Sequence, residues 1–355
     1  MRIRAAFTVA VAALTLTHWS GSLAAVRRAS GAAVGEPSPP RPAQLSSIAV
    51  SESAPLGLDL YRAIPADNPM SVEKVALGRR LFHDRRLSRD GTISCATCHD
   101  PARTFTNGLA VAVGVGGAIG RRNVPTIVNR VYGQTFFWDG RAASLEEQAG
   151  QPLLNPREMA TTPEAVVATV QRDADYVTAF RAVFGRAPDW EDVRRALASF
   201  VRSVRSGNSP NDRFTDGDEA ALSEEEQRGR RLFLGRADCW RCHRGPNLTD
   251  EQFHNTGVAF LGGELTDPGR FAVTGLSDDR GAFKTPTLRE VVRTAPYMHD
   301  GSLATLADVV EFYNRGGNPN PELDSKIRPL ELSAHDQAAL VAFLGALAGT
   351  VEEER

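Results

Sequence analysis

The sequence predicts an all-α protein with long loops, built from two copies of one helical module. Three observations carry this reading. Apolar residues recur at helical spacing in nearly every periodic stretch, and no region sustains period-two alternation. The five residues Gly-Arg-Arg-Leu-Phe also occur twice, from Gly78 and from Gly229, each time ahead of a cysteine pair. Five residues can recur by chance, but their placement before both pairs favours duplication.

Along the chain, Arg2 and Arg4 precede an apolar run from Ala5 to Leu16, and small residues follow near Ala24 and Ala25. Residues 1–25 therefore read as a secretory signal peptide. The alternative, a membrane anchor, is opposed by the shortness of the run, and no other stretch could span a bilayer. The mature protein is expected to be exported to the periplasm. Residues 26–55, rich in Ala, Ser and Pro, read as a disordered leader. The remaining length suits two ordinary domains, taken as 56–220 and 221–355. A net charge of -2 leaves no nucleic-acid footprint.

Helix starts are marked by capping residues. Thr162-Pro163 opens a helix expected to run to about Phe184. Asp189 and Asp192 open another, in which Val193, Leu197, Phe200, Val201 and Val204 share a face. Ser223 with Glu226 forms a capping-box pattern that puts the second repeated phrase at the end of a helix. Ser333 with Asp336 opens the last helix, striped by Leu340, Val341, Leu344 and Leu347. The glycine-rich stretch from Ala110 is a loop, because it lacks the strand-to-helix context of a nucleotide site.

All four cysteines lie in two motifs, Cys95-Ala-Thr-Cys98-His99 and Cys239-Trp-Arg-Cys242-His243. Zinc binding, a redox dithiol or disulfides could each use CxxC pairs, but none needs a histidine directly after each second cysteine. CxxCH is the attachment sequence for c-type haem, in which the two thiols bond to the porphyrin and the next imidazole sits under the iron. Two covalently bound haems are expected. For the opposite axial positions the mature chain offers His83, His254, His299 and His335, with Met70, Met159 and Met298. Spacing alone does not choose among them.

Several long segments resemble the bacterial dihaem cytochrome c peroxidase and MauG family. They are "LGRRLFHDRRLSRDGTISCATCH", "GRRNVPTIVNRVYGQTFFWDGRAASLEEQA", "NPREM", "GRFAVTGL" and "FKTPTLREVVRTAPYMHDGSLATLADVVEFYNRGG", with the final helix, in family order between about Leu77 and Leu347. The resemblance implies two cytochrome c-like haem domains, with peroxide reacting at the first haem and electrons passing through the second. It places Gln148, Pro152 and Glu158 in the pocket over the His99 haem. A carboxylate there can take a proton from one peroxide oxygen and return it to the other. Without the resemblance, Glu158 would be read as a loop carboxylate. The resemblance also places Trp138 between the haems, where it would otherwise be an ordinary core aromatic. It implies a calcium ion held by the Asn123 side-chain carbonyl and the backbone carbonyls of Thr294 and Pro296, an oxygen-only set that suits calcium.

Two departures from the standard peroxidases stand out. Where those enzymes carry an iron-capping histidine in the glycine loop, this chain has Val115. Where they carry a methionine fourteen residues after His299, it has Tyr313. Valine cannot ligate iron, so the first haem is expected to be open. A phenolate at Tyr313 would favour ferric and higher states over ferrous iron. Tyr313 could instead be a core residue, with Met298 the local competitor as ligand. Both departures point to the MauG-like branch. In MauG a surface tryptophan two residues before the second cysteine pair relays oxidising equivalents to another protein; here that position is Ala237, and Trp240 lies inside the motif.

The function expected is that of an exported dihaem peroxidase acting on hydrogen peroxide. Its reductant would be a small cytochrome or copper protein, or else an oxidisable protein substrate as in cofactor maturation. The competing reading is a dihaem electron carrier with no chemistry of its own.

Overall fold

The computed structural model describes residues 49–50 and 54–353. The expected signal peptide and nearly all of the leader lie outside them. Helices dominate, and the capping residues named above start them. Asp189 accepts the Asp192 N–H ahead of helix Trp190–Ser203, Ser223 and Glu226 form a reciprocal box ahead of Glu224–Leu234, and Ser333 accepts the Asp336 N–H ahead of Ala334–Gly345.

One expected helix is two. The segment from Pro163 stops at Gln171, and a second helix, Ala174–Phe184, begins after it. The Asp173 carboxylate accepts the N–H groups of Asp175 and Tyr176, which restarts the helix along a new axis. The description as all-α also needs adjusting, because four short antiparallel pairings are present among the described residues. The longest joins Val204–Gly207 to Thr350–Glu353. Ladders of two to four residues are too short to register as alternation in sequence.

Two large apolar cores form, and a small third cluster of Ala259, Phe260 and Phe283 packs against Trp138. Of the two large cores, one gathers Leu81, Phe82, Phe105, Val128 and Phe200, and the other Phe233, Val310, Leu340, Phe343 and Leu347. The repeated phrase builds both in the same way. Helix Val72–His83 crosses Trp190–Ser203 with Gly78 against the backbone of Ala196, and helix Glu224–Leu234 crosses Ala334–Gly345 with Gly229 against the backbone of Ala339. A Cβ at either glycine would overlap the facing carbonyl oxygen. The phenylalanine four residues on then packs at a steep angle across the crossing: Phe82 tilted against Phe200 at 4.9 Å, and Phe233 edge-on to Phe343 at 5.2 Å between ring centroids.

The duplication extends well beyond the repeated phrase. Phe136 bridges to Ala142 and Tyr297 to Leu303. The next residues, Phe137 and Met298, both hold positive φ, at 67° and 71°. The segment ending Trp138-Asp139-Gly140 is thus the counterpart of the one ending His299-Asp300-Gly301. Each crosses to the other half: Asn123 donates its N–H to the His299 carbonyl at 2.7 Å, and Lys284 donates to the Trp138 carbonyl at 2.8 Å.

Gly78→Ala and Gly229→Ala are each expected to destabilise the holoprotein by about 2 kcal/mol or more, because the facing backbone cannot move aside. Gly345→Ala, with open space around it, should be neutral or slightly stabilising. Urea unfolding followed by helical circular dichroism compares the three.

Candidate haem-binding and active sites

Each CxxCH motif sits on a short helical turn, Cys95–Cys98 in the first half and Cys239–Arg241 in the second. Each histidine is oriented identically. His99 Nδ1 lies 3.1 Å from the Phe105 carbonyl, and His243 Nδ1 lies 3.1 Å from the Leu248 carbonyl. A carbonyl only accepts, so Nδ1 carries the proton and Nε2 keeps its lone pair. Burial lowers the pKa of both imidazoles, that of His243 to about 4, and both are neutral as iron ligands must be. Burial pushes the thiols of Cys95 and Cys239 up to about 12 and Cys98 to about 11. Such thiols are poor thiolate ligands. Among the described residues the two pairs do not come together as a four-cysteine cluster, and the one group with metal-ligand spacing, Cys242 with Asp250 and His254, has both His254 nitrogens already bonded to carboxylates, so the donor set fits thioether attachment.

The second motif opens into a deep, mainly apolar cavity. Cys239, Cys242 and His243 form one wall, and Tyr313, Met298 and His299 also line it. Burial raises the Tyr313 phenol, next to the Cys242 and Cys239 sulfurs, well above the usual tyrosine range. The other candidates of the sequence are accounted for. His254 is held at both ring nitrogens, by Asp324 at 2.5 Å and Asp250 at 3.0 Å, so neither is free for iron. His299 is buried and stacked on Phe283 at 3.7 Å. His83 and His335 are exposed, and Met159 and Met70 pack in the first core.

Around the first motif, Glu158 is the group that matters electrostatically. Its charge reaches Cys95 and Cys98, and raises both thiols further. Asn155 Nδ2 donates to Glu158 Oε1 at 2.6 Å, while the Glu158 carbonyl accepts the N–H of Val115 at 2.9 Å. Val115 is itself buried, so the glycine loop presses an apolar side chain towards this site. Gln148 and Pro152 are one turn apart on helix Leu145–Leu154, and the Pro152 carbonyl accepts the Met159 N–H, tying the Glu158 loop to that helix. Burial raises the Glu158 carboxyl above its ordinary range, opposed by the Asn155 bond and Arg141.

Between the halves, Trp138 donates its indole N–H to the Asn123 carbonyl at 2.9 Å and reaches the second cavity. Asn123 donates its side-chain amide to the carbonyls of Leu109 and Ala110, which leaves Oδ1 as the acceptor atom. Its backbone N–H donates to the carbonyl of His299, three residues beyond Pro296.

Sequence reasoning missed Lys284. Its ammonium lies in the same cavity, 3.3 Å from Glu251, and burial with the nearby Arg130 pushes it down to about 7. The signal was available. Val124-Pro125-Thr126 and Trp138-Asp139-Gly140 align with Thr285-Pro286-Thr287 and His299-Asp300-Gly301, and the alignment places Lys284 opposite Asn123.

Two helical modules, each offering a paired-cysteine, neutral-histidine attachment point, define a protein of the c-type cytochrome class. A di-haem cytochrome c peroxidase family profile matches residues 72–220. The chain is 42% identical to the methylamine utilization protein MauG of Methylorubrum extorquens over 80% of each chain. It is 37% identical to the cytochrome c551 peroxidase of Nitrosomonas europaea over 81% of this chain and 83% of that one. Among solved structures, a MauG-like protein associated with microbial copper homeostasis superimposes with a TM-score of 0.77 at 36% identity, covering 86% of this chain and 96% of that one. The chain belongs to the dihaem cytochrome c peroxidase and MauG family, and membership implies two c-type haems. No helix among the described residues is long and apolar enough to cross a membrane.

Glu158 carries a pH signature. Below the ordinary carboxyl range it is protonated folded and unfolded, and contributes nothing. As pH rises through its raised folded value, ionisation in the buried site costs stability. Glu158→Gln removes that cost, so the variant's stability relative to wild type should grow as pH rises from the ordinary carboxyl range through the raised folded value. Urea midpoints across that range test it; a pH-independent difference would contradict the burial of the charge.

Proposed function

We propose that this protein is an exported peroxidase that reduces hydrogen peroxide at its first haem site and draws electrons through its second. Residues 56–220 and 221–355 would be the two cytochrome c-like domains. Cys95, Cys98 and His99 would hold the first haem, and Cys239, Cys242, His243 and Tyr313 the second. Calcium would sit at Asn123, Thr294 and Pro296. Bound at the first motif, a haem supplies an iron that takes up peroxide and stores its oxidising equivalents.

The protein's own contribution is proton handling and exclusion of a competing ligand. Glu158 accepts a proton from one peroxide oxygen and delivers it to the other, which leaves as water. Its carboxyl pKa is raised above the ordinary range by desolvation, which makes it a stronger proton acceptor than an exposed carboxylate. Gln148 would orient the peroxide from the adjacent helix, with Pro152 shaping the pocket wall. Val115 leaves the site open to substrate. Trp138, bonded to Asn123 and reaching the second cavity, would shorten the electron path between the sites. The observation that carries the reading is Glu158, half-buried beside the first cysteine pair and joined by its carbonyl to a residue that cannot ligate iron.

A second reading is oxidation of a partner protein's side chain, favoured by the identity to MauG. Ala237 is buried and cannot serve as a surface relay, so that reading would require the exposed Trp240 in its place.

Electron paramagnetic resonance of the diferric protein should show one high-spin and one low-spin signal, both lost with one equivalent of peroxide and no reductant. Glu158→Gln should slow that loss by about 10²- to 10⁴-fold. Two low-spin signals indifferent to peroxide would identify an electron carrier instead.

A further inference from the structure

The mouth of the second cavity is basic, although the chain as a whole carries a net charge of -2. Of the six arginines from Arg228 to Arg244, Arg228 and Arg236 pair with Asp336 and Arg241 with Asp238, while Arg244 has no acidic partner among the described residues. Arg241, Lys326 and Arg328 line the cavity. The local acids are engaged: Asp238 pairs with Arg241 at 3.2 Å, and Asp324 is shared by His254 and Lys326. Arg244 and Arg328 are exposed, and neither side chain has an acidic partner among the described residues. Within this basic ground Trp240, between the two cysteines, is 43% exposed. The first motif has Ala96 and Thr97 at the corresponding positions and no such apolar surface.

An exposed tryptophan among unneutralised arginines is the composition of a protein-binding hot spot. Unpaired guanidinium groups steer a negatively charged partner, and the ring supplies contact area once water is expelled. We propose that this rim is the docking surface for a small acidic electron-donor protein, seated over Trp240 with its negative patch against Arg244 and Arg328. The inference rests on the peroxidase reading above. One peroxide, two protons from solvent and two electrons give two waters, so two reduced donor molecules are each oxidised by one electron here per turnover.

The test uses the holoprotein with peroxide and three reductants: an acidic c-type cytochrome, a basic c-type cytochrome, and neutral guaiacol. At about 0.01 M salt the acidic cytochrome should be oxidised with the higher kcat/KM of the two. That value should fall at least about tenfold by about 0.15 M salt, as the screening length shrinks from about 30 Å to about 8 Å. Arg244→Glu, outside the cavity lining, should lower it about threefold or more at low salt and leave guaiacol turnover unchanged. Preference for the basic cytochrome, or an unaltered rate in the Arg244→Glu variant, overturns the donor inference while guaiacol turnover persists. Loss of peroxide-dependent turnover with every reductant, guaiacol included, overturns the peroxidase reading and this inference with it.

Discussion

Both halves depend on one close contact between helix backbones. Gly78 against Ala196 and Gly229 against Ala339 let the first and last helices of each half approach without an intervening side chain. That approach sets where Phe82 and Phe233 pack, and so fixes the floor from which the chain leaves for its cysteine pair. Packed interiors do not absorb an added methyl by small adjustments everywhere, so the constraint is transmitted to the motif. The histidine then needs little further control, because a carbonyl a few residues on holds its ring nitrogen.

On this common frame the two sites are given opposite chemistry. The first combines a half-buried carboxyl, raised by desolvation, with a buried apolar loop residue. The second surrounds its motif with a phenol, a thioether and fixed cations. There His254 is bonded to two carboxylates, which can only accept, so the imidazole must donate from both nitrogens and remains charged. Desolvation opposes that charge, and the bonds to Asp324 and Asp250 raise the imidazole pKa against it.

Much of this was legible in the sequence because it rests on local rules. The caps at Asp189, Ser223 and Ser333, the two attachment motifs and the helical stripes depend on residues within a turn or two of one another. The break at Asp173 was missed although the capping residue was in view, since the apolar spacing continues through it. What stayed hidden was set by tertiary contact. The burial that raises Glu158, the double clamp on His254 and the placement of Lys284 beside Glu251 join residues far apart in sequence. The wider duplication was hidden for another reason: tryptophan at 138 and histidine at 299 obscure a shared backbone conformation.

The exchanged hydrogen bonds at Asn123 and Lys284 have a consequence for ancestry. Each half carries one donor and one acceptor, and each pair is completed only by the other half. A polypeptide holding a single module would therefore possess both partners of the bond and could make neither within itself. Two copies related by a two-fold axis would satisfy both at once. The contact between the halves has the form of an isologous homodimer interface preserved inside one chain, and fusion would have freed its two sides to diverge without losing register.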